Sequence, residues 1–251
     1  MNADGKKKKA IYIAAPLGAA LLIAVWWILS AVIGRELLLP SPVSTAVRLG
    51  GLLVSPDTWL CIGTSLLRTA AGIAAGIAAG VVLGAAACLG GFAEGMLSPL
   101  EKVVRATPVA SFIILALVWI PSEGISVLIS ALIVAPIIYR SVVSSVRATD
   151  PRMLELAGAY GLSPLRRLSA VVIPSVAPHF IAACSTSVGL GWKAGIAAEV
   201  LCTPKNTIGR MLYNSKVYLE TTDLFAWTVI VILLSVITEL AVRLIRRASG
   251  V

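Results

Sequence analysis

The sequence predicts an all-α polytopic membrane protein of about six transmembrane helices with a folded cytoplasmic insert. Three observations carry this. Hydrophobic residues make up 58% of the chain and charged residues only 13%, where a soluble domain has about 25% charged. Mean hydropathy is +0.95. Apolar runs long enough to span a bilayer recur along the whole sequence, without strand-period alternation. The net charge of +9 does not form one basic stripe. It falls between apolar runs, which suits the cytoplasmic loops of a membrane protein better than a nucleic-acid surface.

Backbone groups in lipid must be satisfied within the segment, so each run is expected to be helical. The spans are placed at roughly 10–33, 64–90, 99–120, 123–146, 172–200 and 223–244, in a single transmembrane domain over 1–251. The first follows MNADGKKKKA and resembles a signal peptide, but its apolar run exceeds the roughly 7–15 residues of an h-region, so a retained span is expected.

Orientation follows from Lys and Arg. With Lys6, Lys7, Lys8 and Lys9 inside, Arg147, Arg152, Arg166, Arg167, Arg243, Arg246 and Arg247 are also inside, and Lys102, Arg105 and Arg140 lie at inner helix ends. Arg35, Arg48, Lys205, Arg210 and Lys216 fall outside. Both termini are therefore expected in the cytoplasm, with Trp59, Trp119 and Trp227 near the outer interface. Residues 34–60 read as an extended piece and a short surface helix, and residues 203–222 as too polar to span.

In the second span Gly72, Gly76, Gly80 and Gly84 recur at every fourth position, a face that lets another helix approach closely. Packing within one subunit is the first expectation; a dimer seam or a moving pathway wall is the alternative. Cys61, Cys88, Cys184 and Cys202 show no metal or redox spacing. They are expected to be thiols, with a Cys61–Cys202 disulfide as the alternative. No metal site and no catalytic residues are expected.

The fourth connection departs from a plain loop. Asp150-Pro151 is an N-cap with proline at the first helical position, Gly161 is placed to end that helix, and Ser163-Pro164 repeats the start signal. A helix, a glycine turn and a second short helix are expected before Pro174. Met153, Leu156, Ala157 and Tyr160 share one face. That face suits a partner's groove, or equally the membrane surface or the chain's own bundle.

Glu155, Leu156 and Ala157, then Gly161, then Val171, Ile173 and Pro174 resemble the EAA loop of permease subunits of ATP-binding-cassette (ABC) importers: E-A-A, three residues, G, nine residues, I-x-L-P. LLLPSP at 37–42, TSLLRTAAG at 64–72, RATPVASFIILALVW at 105–119, GWKAGIAAEV at 191–200 and NTIG at 206–209 resemble the nitrate/sulfonate/taurine-type branch of the binding-protein-dependent transport family. The branch's second proline, near Phe112 or Ile113, is absent.

The resemblance implies a type I ABC importer permease fold in the prokaryotic plasma membrane, with residues 148–171 as the coupling loop. It implies a cytoplasmic ABC ATPase dimer, a second permease subunit and an extracytoplasmic substrate-binding protein as partners. A homodimer is the default, since oligomers are mostly symmetric. No cofactor is expected on this chain, which has no G-x-x-x-x-G-K-[ST] loop; ATP and Mg are expected on the ATPase. Leu156, Ala157, Tyr160 and Gly161 would dock on it, Glu155 would meet a basic group there or cap its own helix, and Arg166 and Arg167 would pair with acidic groups or serve as inside charges. The expected cargo is a small anionic or heterocyclic solute.

Ionisable residues inside spans are costly and often functional. Arg68, Lys193 and Glu199 are the pathway or gate candidates, with snorkelling to the interface the first reading of Arg68 and a structural role the alternative for Glu199; Glu239 lies near the inner end of the last span. Lys193 and Glu199 are six positions apart and do not share a helix face. His179, the lone histidine, reads as a packing residue. An ion-gradient-driven transporter or channel is the rival reading, but it predicts internal repeats, which are not seen, and leaves the insert unexplained. A membrane-embedded enzyme would need a catalytic cluster, and neither H-E-x-x-H nor G-x-S-x-G occurs.

Overall fold

The structure, a computed structural model, describes residues 3–248, with side chains from 17 to 244. The side chains of Lys6, Lys7, Lys8, Lys9, Arg246 and Arg247 lie outside the described set. Every regular element among the described residues is helical: α1 (Ala3–Ile33), α2 (Pro42–Val54), α3 (Pro56–Ala87), α4 (Gly91–Ala106), α5 (Val109–Ala116), α6 (Ser122–Arg147), α7 (Pro151–Ala159), α8 (Pro164–Arg167), α9 (Ile173–Cys202), α10 (Ile208–Val217) and α11 (Thr221–Ala248). A π-helical segment, Leu168–Val172, joins α8 to α9 without a break.

Four stretches are long and apolar enough to cross a membrane: Pro56–Ala87, Ser122–Arg147, Pro164–Cys202 and Thr221–Leu244. Leu17–Ile33 forms a shorter apolar helix among the described residues. The expected third span, 99–120, is corrected: it is not one helix. Pro108 disfavours helical geometry at the residue before it, and Thr107 is extended at φ −73° and ψ 127°. The chain breaks there, and α5, eight residues long, is too short to span alone.

The chain divides into two compact units. The first comprises residues 1–59 and 211–230. Ser41 caps α2, accepting from the Ser44 N–H at 3.1 Å, and Pro42 opens the helix. The Trp26 indole donates to the Pro40 carbonyl at 3.1 Å and Ser30 Oγ to Leu39 at 3.0 Å, pinning the 34–41 connection to α1; it is not the expected extended piece, since the Leu38 and Leu39 N–H groups bond back to the Arg35 carbonyl in a turn. Arg48 forms a two-pronged ion pair with Asp223, whose hydrogen bond holds the guanidinium above its ordinary pKa. Trp227, expected at an interface, is buried instead, while Trp59 is exposed.

The second unit comprises residues 60–210 and 231–251. Its core lies where α6 meets α3 and α9. Val134, Ile138 and Val142 of α6 pack with Ile73, Ile77 and Val81 of α3 and with Phe180 and Ala183 of α9. A second cluster joins Ile113 and Ala116 of α5 to Ile125, Ile129 and Ala198. Trp119 is exposed and Cys202 is a free thiol, so no Cys61–Cys202 disulfide is present.

Candidate functional site

The insert is built from its capping residues. Asp150 Oδ1 accepts from the Arg152 N–H at 2.9 Å and starts α7; Pro151 follows at the first helical position. Gly161 ends it at φ +66°, the left-handed region that favours glycine. Its N–H bonds to the Gly158 carbonyl at 2.9 Å and the Leu162 N–H to Ala157 at 3.1 Å, the paired bonds of a Schellman turn. Ser163 is extended before Pro164 but makes no side-chain cap bond.

The expected docking set divides in two. Leu156 is 55% exposed and Tyr160 79%, with Met153, Glu155, Gly161 and Arg166 also exposed. Ala157 is corrected: at 5% exposure it is buried within the chain and offers no surface to a partner. Arg167 points inward too. Its Nε donates to the Leu162 carbonyl at 2.9 Å, and its guanidinium lies against Gly158, holding α7 and α8 together.

The glycines of α3 face α6 within the subunit. A Cβ on Gly72 would lie 2.7 Å from Ser130 Cβ, on Gly76 2.8 Å from Val134 Cβ, on Gly80 2.6 Å from Ile138 Cβ and on Gly84 2.9 Å from Val142 Cβ. Each spacing is too short for a real side chain, so α3 and α6 approach closely at four successive positions, over about three turns.

A polar cluster lies inside the same packing. Glu199 of α9 is fully buried. It accepts from Ser65 Oγ of α3 at 2.6 Å and from the Gly209 N–H at 3.3 Å, while Ser65 Oγ itself accepts from the Ile208 N–H at 2.9 Å. One carboxylate and one hydroxyl thus hold the start of α10 against α3 and α9. Gly209 packs so closely on Glu199 that a Cβ would fall 2.5 Å from the Glu199 carbonyl carbon. Glu199 Oε1 and Arg68 Nη1 are buried without hydrogen bonds, and Arg68 is near enough to act on Glu199 through space. Beside them, a Cβ on Gly195 would lie 2.6 Å from Ser130 Oγ and 2.9 Å from Thr69 Oγ1. Lys193, by contrast, is exposed and on another face of α9, as the six-residue offset requires.

Residues 72–250 match the family described as binding-protein-dependent transport system inner membrane component. The chain belongs to this family. The permease is 23% identical over 230 residues, 91% of its own length and 83% of the other's, to SsuC of Bacillus subtilis (strain 168), a permease protein assigned to aliphatic sulfonate transport. It is 27% identical to the nitrate import permease protein NrtB of Synechococcus elongatus over 72% of its own chain and 68% of that one. A crystal structure of an amino acid ABC transporter with histidines shares the fold, with a TM-score of 0.56 at 20% identity over 75% of this chain and 91% of that chain. The chain is therefore an all-α, multi-pass inner membrane component of a binding-protein-dependent transport system.

Sequence reasoning singled out Glu199 and Arg68 but not their surroundings. Ser65 and Thr69 lie one helical turn apart on α3, and Gly191 and Gly195 one turn apart on α9. That small-residue spacing is the signal that marks the α9 approach. The charge pairs between α4 and α6 were read only as inside charges. Arg140 Nε donates to Glu101 Oε1 at 2.8 Å, Arg105 lies 3.8 Å from the same oxygen, and Arg147 pairs with Glu94. The Arg140–Glu101 and Arg147–Glu94 pairs line a polar cavity of about 680 Å³.

Proposed function

We propose that the permease couples to a cytoplasmic ABC ATPase through α7 and α8, and that this coupling drives alternating access of its translocation pathway. One observation carries the reading: apolar Leu156 and Tyr160 stand exposed on a helix whose start, end and inner contacts are all fixed. A loop with no partner has no need of a Schellman turn, an arginine clamp and an uncovered apolar face together. Glu155, Leu156, Tyr160, Gly161 and Arg166 form the docking surface, and Ala157 and Arg167 hold its shape. Because α8 runs through the π-helical segment into α9, displacement of the insert is transmitted to the helix that carries Lys193 and Glu199.

In this reading both termini face the cytoplasm, ATP and Mg are bound by the ATPase, and this chain performs no hydrolysis. A second copy of the chain completes the pathway, and an extracytoplasmic binding protein delivers the solute. Relatives named for sulfonate and nitrate transport support a small anion over a heterocyclic solute. The test is a mild-detergent pull-down of the tagged chain from its native membrane, with mass spectrometry of what is retained. Recovery of an ABC ATPase is the expected result. A chain recovered alone from several detergents contradicts the coupling reading.

A further inference from the structure

Lys193 sits nine residues before the end of α9 at Cys202, about 13 Å along the axis and further than a lysine side chain reaches. It is exposed on a membrane-spanning helix, and among the described residues it has no ion pair. Ser187, Gly189, Gly191 and Trp192 are buried around it, so this part of α9 packs on protein while the exposed ammonium opens on the adjoining groove. A cavity of about 310 Å³ between α9 and α11 adjoins it, lined also by Ser185, Thr186, Gly189, Glu239 and Arg243.

The charges in this cavity do not cancel. Glu239 lies 3.7 Å from Arg243, and its carboxylate packs on Gly189, where a Cβ would meet Oε1 at 2.8 Å. One carboxylate thus serves one guanidinium and Lys193 is left over: two cations against one anion. Ser185 Oγ, which makes no hydrogen bond among the described residues, adds a free donor to the lining.

We infer that this cavity is a binding waypoint for a small monoanion, with Lys193 as the charge that attracts it and Ser185 as a hydrogen-bond donor. The inference rests on the importer reading above and names a place on the pathway where a sulfonate, nitrate or carboxylate group would pause. A site with one surplus positive charge in a low-dielectric wall favours anions and repels cations.

The test replaces the four native cysteines by alanine and introduces Thr186→Cys, an exposed position on the lining, in the full complex with its ATPase in proteoliposomes. The new thiol is reacted with an anionic sulfonatoethyl and a cationic trimethylammonioethyl methanethiosulfonate, each rate normalised to that of a free thiol. The anionic reagent is expected to react about tenfold faster, with Lys193→Gln abolishing the preference and Lys193→Arg keeping it. A thiol that neither reagent reaches, or a preference unchanged by Lys193→Gln, overturns the site. ATP-dependent uptake of labelled ethanesulfonate by the unmodified complex tests the solute reading separately. Uptake without the thiol preference strikes the cavity alone; the preference without uptake leaves the cavity standing and strikes the sulfonate as solute.

Discussion

Ser65 Oγ donates to the fully buried Glu199 carboxylate at 2.6 Å while accepting from the Ile208 N–H at 2.9 Å. This hydroxyl joins α3, α9 and the start of α10 at one point. Ser65→Ala leaves a buried carboxylate short of a donor and a buried N–H without an acceptor, at a cost of about 1–3 kcal/mol. Thr64→Ala removes only a bond to its own helix and is expected within about 0.5 kcal/mol of the parent. Thermal denaturation in one detergent compares them; equal melting of the two variants contradicts the proposed role of Ser65.

Glycines of α3 are predicted to respond with opposite signs. At Gly76 an added Cβ would lie 2.8 Å from the Ala131 carbonyl oxygen, so Gly76→Ala forces α3 and α6 apart and costs about 1–3 kcal/mol. At Gly63 nothing lies within 4 Å, so Gly63→Ala gains helix propensity, up to about 1 kcal/mol. The same melting assay reads both, and a stabilising Gly76→Ala would refute the close-packed seam.

Gly161→Val is expected to lower ATPase recovery in a pull-down, because a β-branched residue resists the φ of +66° that closes the Schellman turn. Gly161→Asn, which tolerates that region better, is expected to retain most of it. Full recovery with valine would count against the turn's importance.

Docking and shape are separable within the insert. Tyr160→Ala removes an exposed side chain and is expected to reduce ATPase binding several-fold with unchanged melting of the isolated permease. Arg167→Lys retains the charge but loses the planar fork, and is expected to loosen the α7–α8 pairing. Cysteine cross-linking between the two helices measures that loosening; unaltered cross-linking rates in Arg167→Lys would remove the clamp.

Much of this architecture was legible in the sequence. Asp150-Pro151, Gly161 and Ser163-Pro164 marked the insert because each acts locally, through caps and turn conformation. The glycine period of α3 marked a close helix approach. The break at Thr107-Pro108 is written in the proline but masked by the apolar run that follows it, 109–120, which reads as one span with Val103 and Val104 before it. The inward placing of Ala157 on α7 and of Arg167 on α8 is not legible locally, because short helices have several faces and only tertiary packing chooses which is covered. Ser65 escaped notice because its partners are 134 and 143 residues away, beyond any local pattern.

The central claim, that the exposed face of α7 meets an ABC ATPase, is tested most directly at Leu156. A photo-reactive amino acid incorporated there in native membranes is cross-linked, and the adducts are identified by mass spectrometry. The account predicts a dominant adduct with an ABC ATPase subunit, reduced several-fold when Tyr160→Ala is introduced. Adducts with lipid or with this chain alone would contradict it.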